Sequence, residues 1–328
     1  MNGSVFNTQT YAKFTLSILL SIGLVACGGG GGGGGSSGTS NTATAPTTPL
    51  AINATNAPTV ASTTINSPAN IITSSSFSSS PLGMNSAAAR ILSSYSLSAK
   101  QQILKSPSNP QFSPALVETT NCLTSGSKTI DTDLTGTSIA ITFNNCSDSP
   151  GDVLNGTMLL TNVVRSTTSF SASSSIDLVI TSPGNPTARF VGTYNFATTD
   201  TTTESSVVMT STSYSIIIGS NVTTVSNFSF TETYTIATDL YSSTSNYTLA
   251  STELGGSVTV TTIDPMQQRG IRLYPFAGQF VVTGANNSKI RVTILGDETH
   301  AGDDVRIEID ENGDNTYETT ILRDWSAL

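Results

Sequence analysis

The chain has 328 residues, with 13 basic and 22 acidic side chains, a formal net charge of −9, three cysteines and one histidine. A chain this acidic is repelled by phosphate backbones and anionic lipid surfaces, which excludes nucleic acid as an expected partner.

At the N-terminus a single charge, Lys13, precedes the apolar stretch Phe14 to Ala26 (FTLSILLSIGLVA). As a helix that stretch spans about 20 Å, short of the roughly 30 Å hydrocarbon core of a bilayer. A positive residue, a short apolar run and small residues at its end describe an export signal, expected over 1–26 and set aside from the fold. The run closes on Leu24-Val25-Ala26-Cys27, and glycines follow directly. These four residues resemble the lipobox of bacterial lipoproteins. The resemblance implies cleavage before Cys27 and acylation of its thiol, palmitate being the type of chain expected. Gly28, a residue other than Asp after the cysteine, implies sorting to the outer membrane. The polyglycine run is similar to the tethers of surface-exposed lipoproteins of Gram-negative bacteria, so the membrane is an expected partner through the N-terminal lipid, with either face of the outer membrane open.

No Asp, Glu, Lys or Arg occurs between Gly28 and Ala89. A stretch dominated by Gly, Ser, Thr, Ala, Pro and Asn buries too little apolar surface to offset its ordering entropy. Residues 27–83 are therefore expected to be a flexible tether, spanning about 40 to 45 Å. Gly28, Gly30 and Gly33 satisfy G-x-G-x-x-G, but no strand precedes them and no helix opens after them, so a dinucleotide site is not read there. Over 84–118 a short helical segment is expected. Ala87 to Leu92 is alanine-rich, and Ser98-Ala99-Lys100-Gln101 forms a capping box for a helix running to Lys105, before Ser106-Pro107.

With Cys27 acylated, Cys122 and Cys146 are the remaining thiols, and export places them in an oxidising compartment where a disulfide is expected. The alternative is two separate buried thiols. With His300 as the one histidine and no free cysteine, a Cys/His zinc centre is not expected.

From about Thr119 the pattern has period two, and 119–328 reads as one antiparallel β domain. In FSFTETYTI, Phe228, Phe230, Tyr234 and Ile236 share one face while Ser229, Thr231, Thr233 and Thr235 take the other. Similar runs lie at Ser138 to Phe143, Val153 to Val164, Ser169 to Thr181, Ala188 to Ala197, Val207 to Ile218 and Ser257 to Ile263. Four more follow at Phe276 to Thr283, Lys289 to Leu295, Val305 to Asp310 and Asn315 to Leu322. Gly, Pro and Asn clusters join them with no helix-length pattern between, so the strands pair as hairpins. Long strands on short connections predict a large meander sheet, curled or partly closed, with a β-sandwich as the alternative. The serine and threonine face argues for water over lipid. The threonine runs repeat at no fixed period, so they read as strand formers rather than an ice-binding array.

Charge is concentrated at the end: ten of the 22 acidic residues fall between Asp297 and Asp324, and none precedes Glu118. Within it, IDENGDNTYE offers Asp310, Asn312 and Asp314 at alternate positions and then Glu318. Hard cations take oxygen ligands from successive turn positions, which makes these four residues the candidate calcium ligands and Ca2+ the one cofactor considered. The stretch resembles the first half of an EF-hand loop, with Asn315 at the glycine position and Ile321 at the glutamate position. A hairpin accounts for the same residues, with Ile309 opposite Tyr317, Ile307 opposite Thr319 and Val305 opposite Ile321 across an odd-length turn.

The sequence contains no G-x-S-x-G, P-loop, H-E-x-x-H or S-x-x-K signature in a catalytic context, and no catalytic residue is assigned. Ser and Thr are too abundant for a triad with His300 to be read, and the acidic cluster has only Tyr317 and Trp325 nearby as sugar platforms. The expected function is a non-enzymatic, lipid-anchored envelope protein that binds a protein partner or serves a structural or adhesive role. The alternative is a periplasm-facing carrier of lipid or another apolar ligand in the curled sheet.

Overall fold

The computed structural model describes residues 44–65, 116–133, 135–148, 152–183, 186–269, 275–296 and 304–324. Among the described residues, one α-helix, α1 (Ala57–Ile65), precedes fourteen strands: β1 (Leu116–Asn121), β2 (Ser125–Thr132), β3 (Ile139–Ser147), β4 (Val153–Arg165), β5 (Ser169–Thr181), β6 (Ala188–Asp200), β7 (Glu204–Ile218), β8 (Asn221–Thr235), β9 (Leu240–Ser251), β10 (Gly256–Arg269), β11 (Ala277–Thr283), β12 (Lys289–Ile294), β13 (Asp304–Asp310) and β14 (Thr319–Asp324). All fourteen form a single sheet in chain order, each strand antiparallel to the next, and β1 does not close onto β14. The meander expected from the sequence is what forms, and one continuous sheet sets the sandwich alternative aside.

Period-two alternation sorts the side chains. Along β5, Phe170, Ala172, Ile176, Leu178 and Ile180 are buried, and the intervening positions are serines, Asp177 and Val179. The buried faces of β3 to β13 merge into one apolar cluster. Curvature has a local cause. Asn145, Asn162 and Asn227 adopt left-handed backbone where the ladders of β3–β4, β4–β5 and β8–β9 skip register. Asparagine tolerates that conformation through local hydrogen bonding, and a bulge bends a strand and strengthens its twist. At Gly192 (φ +151) a side chain would collide with the backbone and Cβ of Tyr214 on the neighbouring strand. Leaving that position bare lets the Tyr214 ring lie on the sheet, edge-on to Phe228 with centroids 5.8 Å apart.

Part of the stretch expected to be tether is folded. Residues 44–65 run across the strand ends and then form α1. Leu50 and Ser257 bond through their backbones (2.8 Å), Ser257 donates to Thr48 (2.9 Å), and Ala285 donates to Leu50 (2.8 Å). Ile52 donates its N–H to the Ser288 hydroxyl at 2.9 Å. Helix α1 starts because Asn53 and Asn56 exchange side-chain and backbone bonds at its N-terminus, with Pro58 in the first turn where a missing N–H costs nothing. Its Ala57, Val60, Ala61 and Ile65 lie on one face and are buried in the same cluster as the strands. The Tyr247 hydroxyl of β9 donates to the carbonyl of Thr64 at 3.0 Å. APTVASTTI carries no charge yet has apolar residues at helical spacing, and their burial decides the outcome over local composition. The rest of 27–83, and the helical patterns Ala87 to Leu92 and Ser98 to Lys105, lie outside the described residues, as do Cys27 and the export signal.

Most expected strands form within a few residues of their limits, but β10 runs on past Ile263 to Arg269, and the strand expected over Asn315 to Leu322 begins at Thr319 because the residues before it belong to the turn around Asp310. β1, β2 and β9 were not legible, because their inward positions are polar: Lys128 on β2 lies opposite buried Phe143, and Ser243 and Ser245 interrupt β9. On β8 the expected face holds Phe228 and Phe230, and Glu232 is buried beside them. Ile236 leaves the strand for a short 3-10 turn, Ile236–Thr238, and is exposed.

Cys122 and Cys146 are joined as a disulfide, with Cα atoms 5.4 Å apart and 24 residues of separation. It ties the β1–β2 turn to the end of β3. Replacing both cysteines by serine is expected to lower the unfolding free energy by about 3.5 kcal/mol on the chain-entropy relation, measured by urea denaturation. Val60→Asp places an unpaired charge in the core and is expected to release α1, read as proteolytic cleavage within 44–65 while the strands stay protected.

Candidate functional site

The acidic end is built by β12, β13 and β14. Cross-strand pairing sets Lys289 opposite Asp310 and Arg291 opposite Glu308. Arg291 donates from Nε and Nη2 to the two oxygens of Glu308, both at 2.8 Å, and Arg306 Nε lies 3.3 Å from Glu308 Oε2. The fork of bonds from Arg291 holds the Glu308 carboxyl below its ordinary range, against the effect of partial burial. The Arg291 guanidinium also lies over the Tyr317 ring, 4.2 Å from its centroid. That ring face is occupied by the chain itself, which counts against Tyr317 as a sugar platform.

The β13–β14 connection is ordered around Asp310, which is fully buried. Its Oδ1 accepts the N–H of Gly313 (2.7 Å) and its Oδ2 that of Asn315 (2.9 Å). Asn312 Oδ1 accepts from Asp314 N–H (2.8 Å), and Asp314 Oδ1 from Thr316 N–H (2.7 Å). The Thr316 backbone bond holds the Asp314 carboxyl below its ordinary range. Asn312 Nδ2 donates to Glu318 Oε1 at 2.9 Å. Gly313 (φ +77) packs against the β11–β12 turn, where a side chain would strike Asn286 and Asn287. Glu311 accepts the N–H of Ala54 at 2.7 Å, so the N-terminal segment docks on this same loop.

The turn keeps the parity expected of it and shifts the register by two residues. Ile309 lies opposite Thr319, Ile307 opposite Ile321 and Val305 opposite Arg323. The apolar residues stay on the buried face because a shift of two leaves side-chain direction unchanged. The added length comes from Asp310 gathering Gly313 and Asn315 into a wider turn.

Of the four candidate calcium ligands, Asp310, Asp314 and Glu318 bring carboxylate oxygens within 4.8 Å of one another, and Asn312 bonds to Glu318 within the same loop. Three carboxylates are donors of the kind hard cations take. Lys289 supplies positive charge at the same place, its Nζ 3.6 Å from Asp310 Oδ2 and 2.6 Å from Asn315 Oδ1. Ile321, at the position where an EF-hand places its bidentate glutamate, lies in β14 and packs on the core. Lys289, Arg291 and Glu311 were missed as members of this cluster. The first two were legible as alternate cations on a strand that pairs with alternate anions, but only once the register is known. His300 and Trp325 lie outside the described residues. A second close group, Cys122, Cys146 and Asp148, offers no thiolate because both sulfurs are in the disulfide.

The Arg291–Glu308 pair predicts an acid-side change in stability. Its contribution is complete above the ordinary glutamate value of 4.5 and is lost as pH falls through the lower folded-state value. Glu308→Gln is expected to cost about 1 kcal/mol at pH 7 and to flatten the decline in urea midpoint below pH 4.5. Asp310→Ala removes the charged acceptor of the part-buried Gly313 and Asn315 N–H groups and is expected to cost about 2 kcal/mol. No family model matches the chain, and neither curated protein sequences nor solved structures give a match.

Proposed function

We propose that this chain is a lipid-anchored protein of the bacterial outer membrane, held through acylated Cys27, whose β-sheet is a non-enzymatic binding or structural module. The observation that carries this reading is how the buried face is covered. Ile52 and α1 belong to the same apolar cluster as the strands, so the chain's own segment occupies part of the face on which an apolar ligand would sit. The outer face supports the reading too. One row across β5 to β9 reads Ser173, Asn195, Thr210, Ser229 and Asn246, hydroxyls and amides without a charge. Such a row faces water and suits hydrogen bonding to a partner.

The carrier alternative is favoured by a different observation. Ser174, Thr198 and Tyr214 place buried hydroxyls without hydrogen-bond partners among the described residues on the inward faces of β5, β6 and β7. Orphaned polar atoms of this kind call for an account, and the polar end of a bound lipid is one. Calcium at Asp310, Asn312, Asp314 and Glu318 is a further part of the proposal, resting on the three converging carboxylates.

Cys27→Ser is expected to lose acyl labelling and to move the chain from the membrane to the soluble fraction; labelling that persists removes the anchor. Protease treatment of intact cells then separates the roles. Degradation of the sheet supports an outward-facing binding module, and protection until the membrane is permeabilised places the module in the periplasm. Mass spectrometry of solvent extracts tests the carrier, which a lipid-free extract removes. A calcium titration is expected to raise the melting temperature of the native chain and not of Asp314→Asn; no rise at millimolar calcium removes the cation.

A further inference from the structure

The meander ends on two strands that are paired on one side only among the described residues, β1 on β2 and β14 on β13. Each has six residues, against 15 in β7 and β8. A free edge exposes unpaired N–H and C=O groups that template a further strand, and short edges with inward-pointing charges are the usual protection. Both devices are present here, and the two charges have opposite sign.

The ladders fix where those charges point. Glu118 pairs with Ile130, which pairs with buried Ile141, so Glu118 points toward the buried face at one rim. Arg323 pairs with buried Val305 and points toward the buried face at the other. Both are exposed, and neither makes an ion pair with another described residue. Each edge also carries an exposed apolar residue on its outer side, Val117 (62 %) and Leu322 (61 %).

We propose that the β1 edge of one copy pairs antiparallel with the β14 edge of a second copy, Glu118 opposite Arg323, so that the sheet continues from molecule to molecule. Opposite charges directly across a strand pair stabilise it and like charges oppose it. Thr119 then lies opposite Leu322, and Val117 lies diagonal to it. Pairing like edges gives no such match, because the inward positions Glu118 and Thr120 of β1 hold no cation and those of β14 (Thr319, Ile321, Arg323) no anion. Direction agrees as well. With an even number of alternating strands, β1 and β14 run opposite ways in one copy, so a second copy in the same orientation presents β1 antiparallel to β14. Every copy then starts its N-terminal segment from the same end of the sheet, as anchoring in one membrane requires, a point that rests on the lipid-anchor reading. Joining unlike edges is a heterologous contact, which builds open chains.

Full-length Thr119→Cys/Leu322→Cys, oxidised and run without reductant, tests the pairing. A ladder of dimers and longer chains is expected, cut at least tenfold by adding Glu118→Arg or Arg323→Glu and restored by both together. A monomer cross-linked within itself would show closure of the sheet and overturn the proposal. A ladder indifferent to charge reversal, or no cross-link, would do the same. Acyl labelling of Cys27 is read separately, so failure of the anchor and failure of the pairing are distinguishable.

Discussion

Everything in this molecule depends on covering one apolar face of a very wide sheet. A meander of fourteen strands presents alternate side chains to each side, and the face built from Phe143, Met158, Leu178, Phe190, Leu249 and Ile307 has to leave water. Bulges at left-handed asparagines bend the strands, and the N-terminal segment brings α1 against β12 and β13. Removal of Val, Leu or Ile side chains from water is worth about 1.5 to 3 kcal/mol each. The short helix therefore contributes well beyond its own marginal propensity, since an isolated nine-residue helix is unstable in water.

The acidic end follows the same logic in polar form. Glu311 bonds Ala54, Gly313 packs against the β11–β12 turn, and Lys289 lies beside Asp310. The loop, the turn and the N-terminal segment thus hold one another at the end of the sheet where the chain enters it. A cation bound among Asp310, Asp314 and Glu318 would act on the contact that also seats the segment leading to α1. Ligand binding and docking of the N-terminal segment would then be coupled through one loop.

Legibility in the sequence varied with the chemistry of the buried positions. β5 was readable end to end because nearly every second residue is apolar. β9 was not, since Ser243 and Ser245 occupy inward positions and erase the alternation that period-two reasoning uses. The hairpin at Asp310 shows the limit in another form: parity was legible from Val305, Ile307 and Ile309, while the register depended on how many residues a buried carboxylate could draw into its turn. The four candidate ligands were visible as a spacing. Their competition with Lys289 was not, because it arises across a strand pair.

By itself the sequence determined the class of fold, the antiparallel order and the face on which the apolar residues sit, all consequences of side-chain direction alternating along a strand. It also pointed to Cys122 and Cys146 as a pair, an expectation that rested on the lipobox resemblance assigning Cys27 to a lipid, and the disulfide forms between them. Tertiary structure alone decided that residues 44–65 leave the tether and complete the core, because their few apolar side chains gain nothing until a sheet exists to receive them. It likewise decided that Glu118 and Arg323 face the same side at opposite rims, a relation between residues some two hundred positions apart that only strand register creates.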